Sequence, residues 1–265
     1  AVNATLAGAD SGALTNRFLT GPCTLRLAAE GGGESATAML SALSGRVEAE
    51  MNRDLKPGRK VGDLPLSKIK AGVDFKAQPS GTPEAVRAYD LTATLAASGP
   101  ALLREIKADA RGVAAFGKDA WQIGQGKLAG TATLALPGER GERALPVAIG
   151  ADFNLEPSRG AFALQGMTLE SAGAKGSGRL ERKGRDAGGA LAGSFDFPNI
   201  APRDVLAALG LASSVHAGQE HLQTGSLSFQ VAESSAGIEF KGIALHLDDA
   251  RATGTVVLRN GFGRP

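Results

Sequence analysis

Histidines near an acidic residue are the side chains of this sequence best suited to catalysis or metal binding. None of the three histidines, His216, His221 and His246, stands beside a serine or cysteine in a nucleophile setting, so a catalytic triad is unsupported. His216 and His221 could contact a metal together with Glu220, but their five-residue spacing does not fit the four-residue helical pair of zinc proteases. We therefore predict an exposed loop there, with no metal site.

The adjacent carboxylates Asp248 and Asp249 could in principle act as general acid and base. Neighbours on a strand point to opposite faces, so the two cannot easily share a substrate unless a turn intervenes. We predict a turn instead, with Arg251 as counter-charge. The glycine-rich runs 31–33 and 173–178 lack the strand-to-helix context of a phosphate loop and also predict turns. The sequence thus predicts no catalytic residues, no enzymatic activity and no cofactor.

Composition narrows the class of protein further. The 29 Lys and Arg residues nearly balance the 27 Asp and Glu residues, so no strong field would attract nucleic acid. An apolar fraction of 43% is enough for a folded chain, and the single cysteine, Cys23, excludes an internal disulfide. Because the chain starts without Met and ends abruptly at residues 261–265, we expect it to be a fragment of a larger protein.

Alternation of apolar with polar or small residues recurs along the whole chain, clearly at 69–75, 147–155 and 227–231. A period of two is typical of strands with one face toward an apolar environment. The 37 glycines and the aromatic fraction of only 5% fit many turns and tightly paired strands. We predict a mainly β fold: an elongated, curled, mostly antiparallel sheet of repeated hairpins that forms a groove or half-barrel.

One or two short helices interrupt this pattern. The clearer one spans 202–210, because Pro202 suits a first helical turn and Gly210 suits a left-handed end. A second helix would begin after Ser35 as its cap and end at Gly45 in the left-handed conformation. Helices this short predict a cap on a sheet and not a layer of their own.

An internal repeat divides the second half of the chain. When Gly166 is aligned with Gly242, an offset of 76 residues, the apolar positions of two units match without a gap. The units are 147–182 and 223–258, and they flank the short helix. In both units the apolar phase slips by one position at the aligned glycine, which predicts a β-bulge that bends the strand. We predict that residues 1–140 form a further β-rich part, which resembles the rest of the chain only weakly. Repeated curved units predict an elongated sheet.

From residue 195 onward the sequence resembles the AsmA-like family of Gram-negative envelope proteins. The stretch 197–211 is similar to the family's Pro-Arg-x-x-Leu-x-x-Leu-Gly segment, and 245–255 is similar to its following strand and Leu-Asp-Asp turn. The matching positions, which we interpret as structural, are Pro202, Arg203, Leu206, Leu209, Gly210, Asp248, Asp249 and Gly254.

The resemblance implies a periplasmic segment tethered to the inner membrane by a part of the protein outside this chain. It also implies lipid transport: a non-enzymatic β-groove that binds or conducts phospholipid acyl chains in outer-membrane biogenesis and phospholipid homeostasis. An outer-membrane or other envelope protein would be a partner, and nucleic acid would not.

Alternating apolar residues of the two repeat units are the predicted groove lining: Phe153, Leu155, Phe162, Leu164, Phe229, Val231, Phe240 and Leu245. The same pattern suits the core of a closed two-sheet protein, so the sequence leaves an open groove and a closed core as alternatives. It also leaves a second function open, a structural β scaffold that binds envelope proteins through its strand edges.

Overall fold

The structure is a computed structural model that describes residues 2–10, 22–52, 67–78, 87–99, 103–117, 120–138, 141–184, 189–211, 221–234 and 237–259. These residues form one antiparallel sheet of fourteen strands, in which neighbours in the sheet are neighbours in the chain. Within these described ranges, two short helices accompany the sheet.

The first half of the sheet contains seven strands and one helix. In chain order they are β1 (Val2–Asp10), β2 (Pro22–Glu30), α1 (Ala36–Ser41), β3 (Ser44–Asn52), β4 (Lys68–Ala77), β5 (Arg87–Ser98), β6 (Leu103–Phe116) and β7 (Trp121–Gly138). Strands that follow one another in the chain pair as neighbours in the sheet.

The second half repeats this plan with the other helix. Its elements are β8 (Gly141–Glu156), β9 (Ala161–Ser171), β10 (Ala174–Arg182), β11 (Leu191–Ile200), α2 (Pro202–Leu209), β12 (Gly225–Ser234), β13 (Gly237–Leu247) and β14 (Ala250–Arg259). Among the described residues β1 and β14 each pair with one strand only, so the sheet is not closed on itself. The predicted mainly β, elongated fold is confirmed, and all its strand pairs are antiparallel.

The two helices lie at opposite ends of the strands. In an antiparallel meander, connections from even- to odd-numbered strands lie at one end of the sheet and the remaining connections lie at the other. Helix α1 falls between β2 and β3, and α2 between β11 and β12. We call these two ends of the sheet the α1 end and the α2 end.

Helix α2 has the predicted limits. It begins at Pro202 and ends at Gly210, whose φ of 78° lies in the left-handed region. Helix α1 has the predicted cap, since the Ser35 hydroxyl accepts a hydrogen bond from the Ala38 N–H at 3.1 Å. Its predicted end was wrong: α1 stops at Ser41, and Gly45 lies inside β3, because its backbone joins the strand ladder.

Strand β4 shows how the sheet separates its two faces. Ile69 is buried and Val73 and Phe75 are half-buried, whereas Lys70 and Asp74 are exposed on the opposite face. A similar alternation of apolar with polar or small residue types runs through most other strands, so the sheet has one apolar face and one polar face. Paired charges such as Arg46 with Asp74 cover the polar face and, being exposed, contribute little stability, about 0–1 kcal/mol each.

Bulges bend the sheet along a line that crosses several strands. The strand register shifts at Gly166 in β9 and at Gly242 in β13, where φ is 53° and 58°. The strand register also shifts in β7 at Gln125, where φ is 52°. All three positions lie four or five residues after the α1 end of their strands, so each extra residue bends its strand near that end.

The sheet has only a small closed core. Cys23, Met51, Ile69 and Ala97 form a buried cluster on the apolar face of β2 to β5. The whole chain exposes 17056 Å², whereas a compact protein of 26.9 kDa would expose about 10,800 Å². The fold is therefore an extended layer and not a two-layer globule.

Candidate functional site

The eight predicted lining residues all lie on the apolar face. Residues directly opposite each other in an antiparallel pair point to the same face of the sheet. Such pairs connect one row across seven strands, in the order Phe153, Leu164, Leu180, Gly193, Val231, Phe240 and Val256. The pair of Leu155 with Phe162 lies beside this row, as does the pair of Leu227 with Leu245. The face is therefore continuous from β8 to β14.

Phe229 lies in the middle of an aromatic group on this face. Its ring stacks on Phe195, with centroids 5.2 Å apart, and on Phe197 at 6.4 Å. A tilted contact with Phe240 at 5.7 Å extends the group to β13. Sequence reasoning included Phe229 and Phe240 but missed Phe195 and Phe197, although both fit the alternation of β11.

Glycines allow these rings to lie close to the sheet. A Cβ added at Gly178 would meet the Phe195 ring at 2.5 Å, and one added at Gly176 would meet the Phe197 ring at 2.3 Å. Phe153 covers Gly126 of β7 in the same way, at 2.5 Å. Each ring occupies the space that a side chain would fill at the glycine of the adjacent strand. The rings therefore line the apolar face and do not fill the space above it.

Most of the apolar face is only half-buried. Of the eight candidate residues, only Val231 is fully buried. In the described part of the chain each strand packs mainly against its sequence neighbours, and no second sheet covers the face. Of the two alternatives, an open groove and a closed core, the described structure therefore has an open apolar face.

An apolar pocket lies at the α1 end of the sheet. It has a volume of about 490 Å³ and is lined by Leu43, Val73, Phe75, Tyr89, Leu91 and Phe116. The Tyr89 hydroxyl donates a hydrogen bond to the Leu40 carbonyl at 3.1 Å, which ties α1 to the pocket wall. Edge-to-face contacts of Tyr89 with Phe75 and Phe116 hold the aromatic wall together. Sequence reasoning missed this pocket; the aromatic residues at the ends of β4, β5 and β6 were the available signal.

Helix α2 covers the opposite end of the apolar face. Its first residue, Pro202, is buried beside Gly225 and Leu247 at the α2 end of β12 and β13. At its last turn, the Arg143 guanidinium of β8 donates to the Ala207 carbonyl at 2.7 Å. A cationic side chain suits the negative end of the helix dipole. The helix therefore spans the face from β12 to β8, as the predicted cap requires.

Several residues of the family-like motif meet where α2 leads into β12. The Arg203 guanidinium donates to the His221 carbonyl at 2.9 and 3.0 Å. In the turn between β13 and β14, the Asp248 carboxylate accepts hydrogen bonds from the backbone N–H groups of Gln223 at 2.9 Å, of Thr224 at 3.0 Å, and of Leu222. This contact joins the loop before β12 to the last hairpin.

Backbone donors stabilise the charged form of Asp248. The N–H of Thr224 chiefly, and those of Leu222 and Gln223, lower the pKa of this carboxyl below its ordinary value. The predicted turn is present, and the hydrogen bonds that the described residues donate to Asp248 come from backbone amides and the Thr224 hydroxyl and not from the predicted counter-charge, Arg251.

The other motif residues serve the fold or lie apart from this junction. Leu206 and Leu209 are half-buried in α2, and the Leu206 carbonyl accepts the Leu211 N–H at 2.8 Å beyond the Gly210 cap. Asp249 is exposed in the turn, and Gly254 lies in β14.

A wider surface depression lies on the polar face, with a volume of about 1050 Å³ over β9 to β13. Its lining alternates cations such as Arg179 and Lys241 with Asp196 and with serine and glutamine side chains. Lys241 hydrogen-bonds Glu239 and lowers the pKa of that carboxyl. Such a surface favours water over acyl chains, so the apolar face remains the candidate site.

The histidines do not form a site in the part of the chain that the structure describes. His246 lies on the polar side of β13, and His216 falls outside the described residues. Within the described ranges, no group of histidine, cysteine and acidic side chains could hold a metal ion. No described helix combines the length and hydropathy needed to cross a membrane. No protein-family model, curated protein or solved structure matches the chain.

Proposed function

We propose that this protein is a non-enzymatic lipid-binding or lipid-conducting segment, and that phospholipid acyl chains bind along its apolar face. One observation carries the proposal. The apolar side chains of β8 to β14 form a continuous face that no second layer covers in the described structure. A large exposed apolar face is expected to bind an apolar partner.

The chemistry of the face suits acyl chains. Apolar contact stabilises a bound chain by about 25 cal/mol per Å² removed from water and needs no specific hydrogen bond. Half-buried residues such as Phe229 and Leu245 offer that area, and the rings that lie over glycines leave room above the sheet. With strands about 4.8 Å apart, the face extends about 60 Å across fourteen strands, roughly twice the hydrocarbon thickness of a bilayer.

The cellular role follows from the AsmA-like resemblance and is part of the proposal. The segment would act in the periplasm, tethered to the inner membrane by a part of the protein outside this chain. It would serve outer-membrane biogenesis and phospholipid homeostasis, with an outer-membrane or other envelope protein as partner. The contacts of Pro202, Arg203 and Asp248 support the resemblance, because residues of separate motif segments all contact the same stretch, 221–225.

Lipid extraction with a matched pair of variants tests the proposal. Phe229→Lys places a charge in the apolar face, whereas Gln230→Lys places the same charge on the polar face one residue away. Mass spectrometry of organic extracts should find stoichiometric phospholipid with the wild-type chain and with Gln230→Lys, and at least a fivefold loss with Phe229→Lys. Circular dichroism must show that both variants keep their β content.

Background lipid in the wild-type extract, at the level of an unrelated β protein from the same host, would contradict the lipid proposal. Equal loss in both variants would show that the apolar face does not select the lipid. Either result would favour the alternative function, a structural β scaffold that binds envelope proteins through its strand edges.

A further inference from the structure

The two repeat units build equivalent hairpins. With the offset of 76 residues, β10 corresponds to β14 and β9 to β13. The pair of Met167 with Gly178 in the first hairpin corresponds to the pair of Ile243 with Gly254 in the second. Leu164 with Leu180 likewise corresponds to Phe240 with Val256. Strand β14 is therefore a structural copy of β10, in the same register.

In the first unit the outer edge of β10 is covered by β11. The Phe195 ring of β11 occupies the space above Gly178, since a Cβ there would lie 2.5 Å from the ring. Next to it, the Leu180 side chain packs against Gly193 of β11, where an added Cβ would lie 2.9 Å from a Leu180 methyl carbon. Gly178 of β10 thus leaves space for the Phe195 ring of β11, and Gly193 of β11 leaves space for the Leu180 side chain.

In the second unit, no described strand covers β14 in the way that β11 covers β10. A Cβ added at Gly254 would have no atom of the described structure within 4 Å. Val256, which corresponds to Leu180, is 48% exposed, and Leu258 beside it is 44% exposed. Strand β14 pairs with β13 alone among the described strands, so it presents a free edge and an open glycine site.

We propose that the outer edge of β14 binds an antiparallel strand from outside residues 1–265, in the register that β11 adopts on β10. The partner strand places an aromatic side chain over Gly254 and a small residue opposite Val256, with apolar residues at alternate positions. Backbone hydrogen bonds along the free edge provide the general affinity of strand addition, and the glycine site provides specificity.

A second copy of this chain does not satisfy these requirements through its own edge strands. Neither β1 nor β14 contains an aromatic residue, so pairing of two such edges would leave Gly254 uncovered. The chemistry of the site therefore indicates a different strand with the side-chain pattern of β11. This inference can be separated from lipid binding, because it concerns the backbone edge of β14, whereas the proposed lipid face extends over the side chains of β8 to β14.

A peptide with the β11 sequence LAGSFDFPNI, residues 191–200, is a direct probe. Titration of the fluorescently labelled peptide with the full chain should show saturable binding. Hydrogen exchange should slow in 250–259. A peptide carrying Phe195→Ala should bind at least fivefold more weakly, because it cannot cover Gly254.

Two variants of the protein provide the matched comparison. Gly254→Val fills the glycine site without a clash in the free protein and should weaken peptide binding at least fivefold. Thr253→Val, which changes the neighbouring residue on the opposite face, should leave peptide affinity unchanged. Gly254→Val should also retain bound phospholipid, which separates this inference from the proposed function.

Three results would overturn the inference. The first is an absence of saturable binding by the wild-type chain, and the second is equal weakening by Gly254→Val and Thr253→Val. The third is a concentration-dependent dimer, seen in sedimentation, whose protected amides lie in 250–259 and which the peptide does not dissociate.

Discussion

The ring of Phe195 stacks on the ring of Phe229, with centroids 5.2 Å apart and planes inclined by 23°. The two residues are directly opposite each other on β11 and β12, and Phe195 also covers Gly178 of β10. Three neighbouring strands are thus joined on the apolar face by one glycine and two rings. Stacked pairs of this kind contribute about 0.5–1.5 kcal/mol beyond the area that they bury.

Gly178 and Gly254 should respond oppositely to the same substitution. We expect Gly178→Val to lower the free energy of unfolding by about 1–3 kcal/mol, because its Cβ would meet the Phe195 ring and the Ser194 carbonyl. Gly254→Val should leave the free energy of unfolding unchanged or slightly raised, since its site is open. Urea denaturation of both variants measures the difference. Equal loss in both variants would contradict the described packing.

Asp248 should stabilise the protein more than its neighbour Asp249. Asp248→Asn removes the charge that three backbone N–H groups of the loop before β12 stabilise, so its urea midpoint should fall. Asp249→Asn serves as the control, because Asp249 is exposed in the same turn. We expect the control to keep the wild-type midpoint. A larger effect at Asp249 would be inconsistent with the observed hydrogen bonds.

The lowered pKa of Asp248 gives its contribution a defined dependence on pH. Because the pKa is lower in the folded than in the unfolded protein, the carboxylate stabilises the fold above the ordinary aspartate range. That stability is lost as pH falls through the lowered pKa of the folded protein. Urea midpoints of wild type and Asp248→Asn should therefore converge at strongly acidic pH. A difference that stays constant down to the lowest pH would argue against this role.

Tyr89 should hold α1 against the apolar pocket. Tyr89→Phe removes the hydrogen bond from the hydroxyl to the Leu40 carbonyl at 3.1 Å and should cost about 0.5–1.5 kcal/mol of stability. Hydrogen exchange should become faster in 36–41 but not in 202–209, because α2 lies at the other end of the strands. Thr92→Val, a nearby exposed position on the polar face of β5, is the control. Unchanged exchange in α1 would show that other contacts hold it.

Local features of the structure were predictable from the sequence. Alternation along each strand depends on the two-residue period of extended backbone, so the faces of β4 or β13 follow from residue order alone. Gly166 and Gly242 revealed bulges because the apolar phase slips there, and Pro202 and Gly210 delimited α2 through their backbone preferences. Each signal lies within a few residues of the feature that it predicts.

Features that join distant residues were not predictable. The partners of Asp248 are 24 to 26 positions away in the chain, and Leu43 meets Phe116 at one pocket across four strands. Gly45 shows the same limit: its type suggested a helix end, but pairing with β2 and β4 places it in a strand. Register between strands decides these contacts, and residue type alone does not specify register.

The sequence by itself determined that this protein has strands, hairpins and one apolar face, because these depend on side-chain period and turn chemistry. Only the tertiary structure decided that, among the described residues, no second layer covers the face and no atom lies over the glycine site of β14. The alternation of apolar and polar residues indicates which side of a strand avoids water. It does not record what lies above that side, which depends on how all fourteen strands are arranged in space.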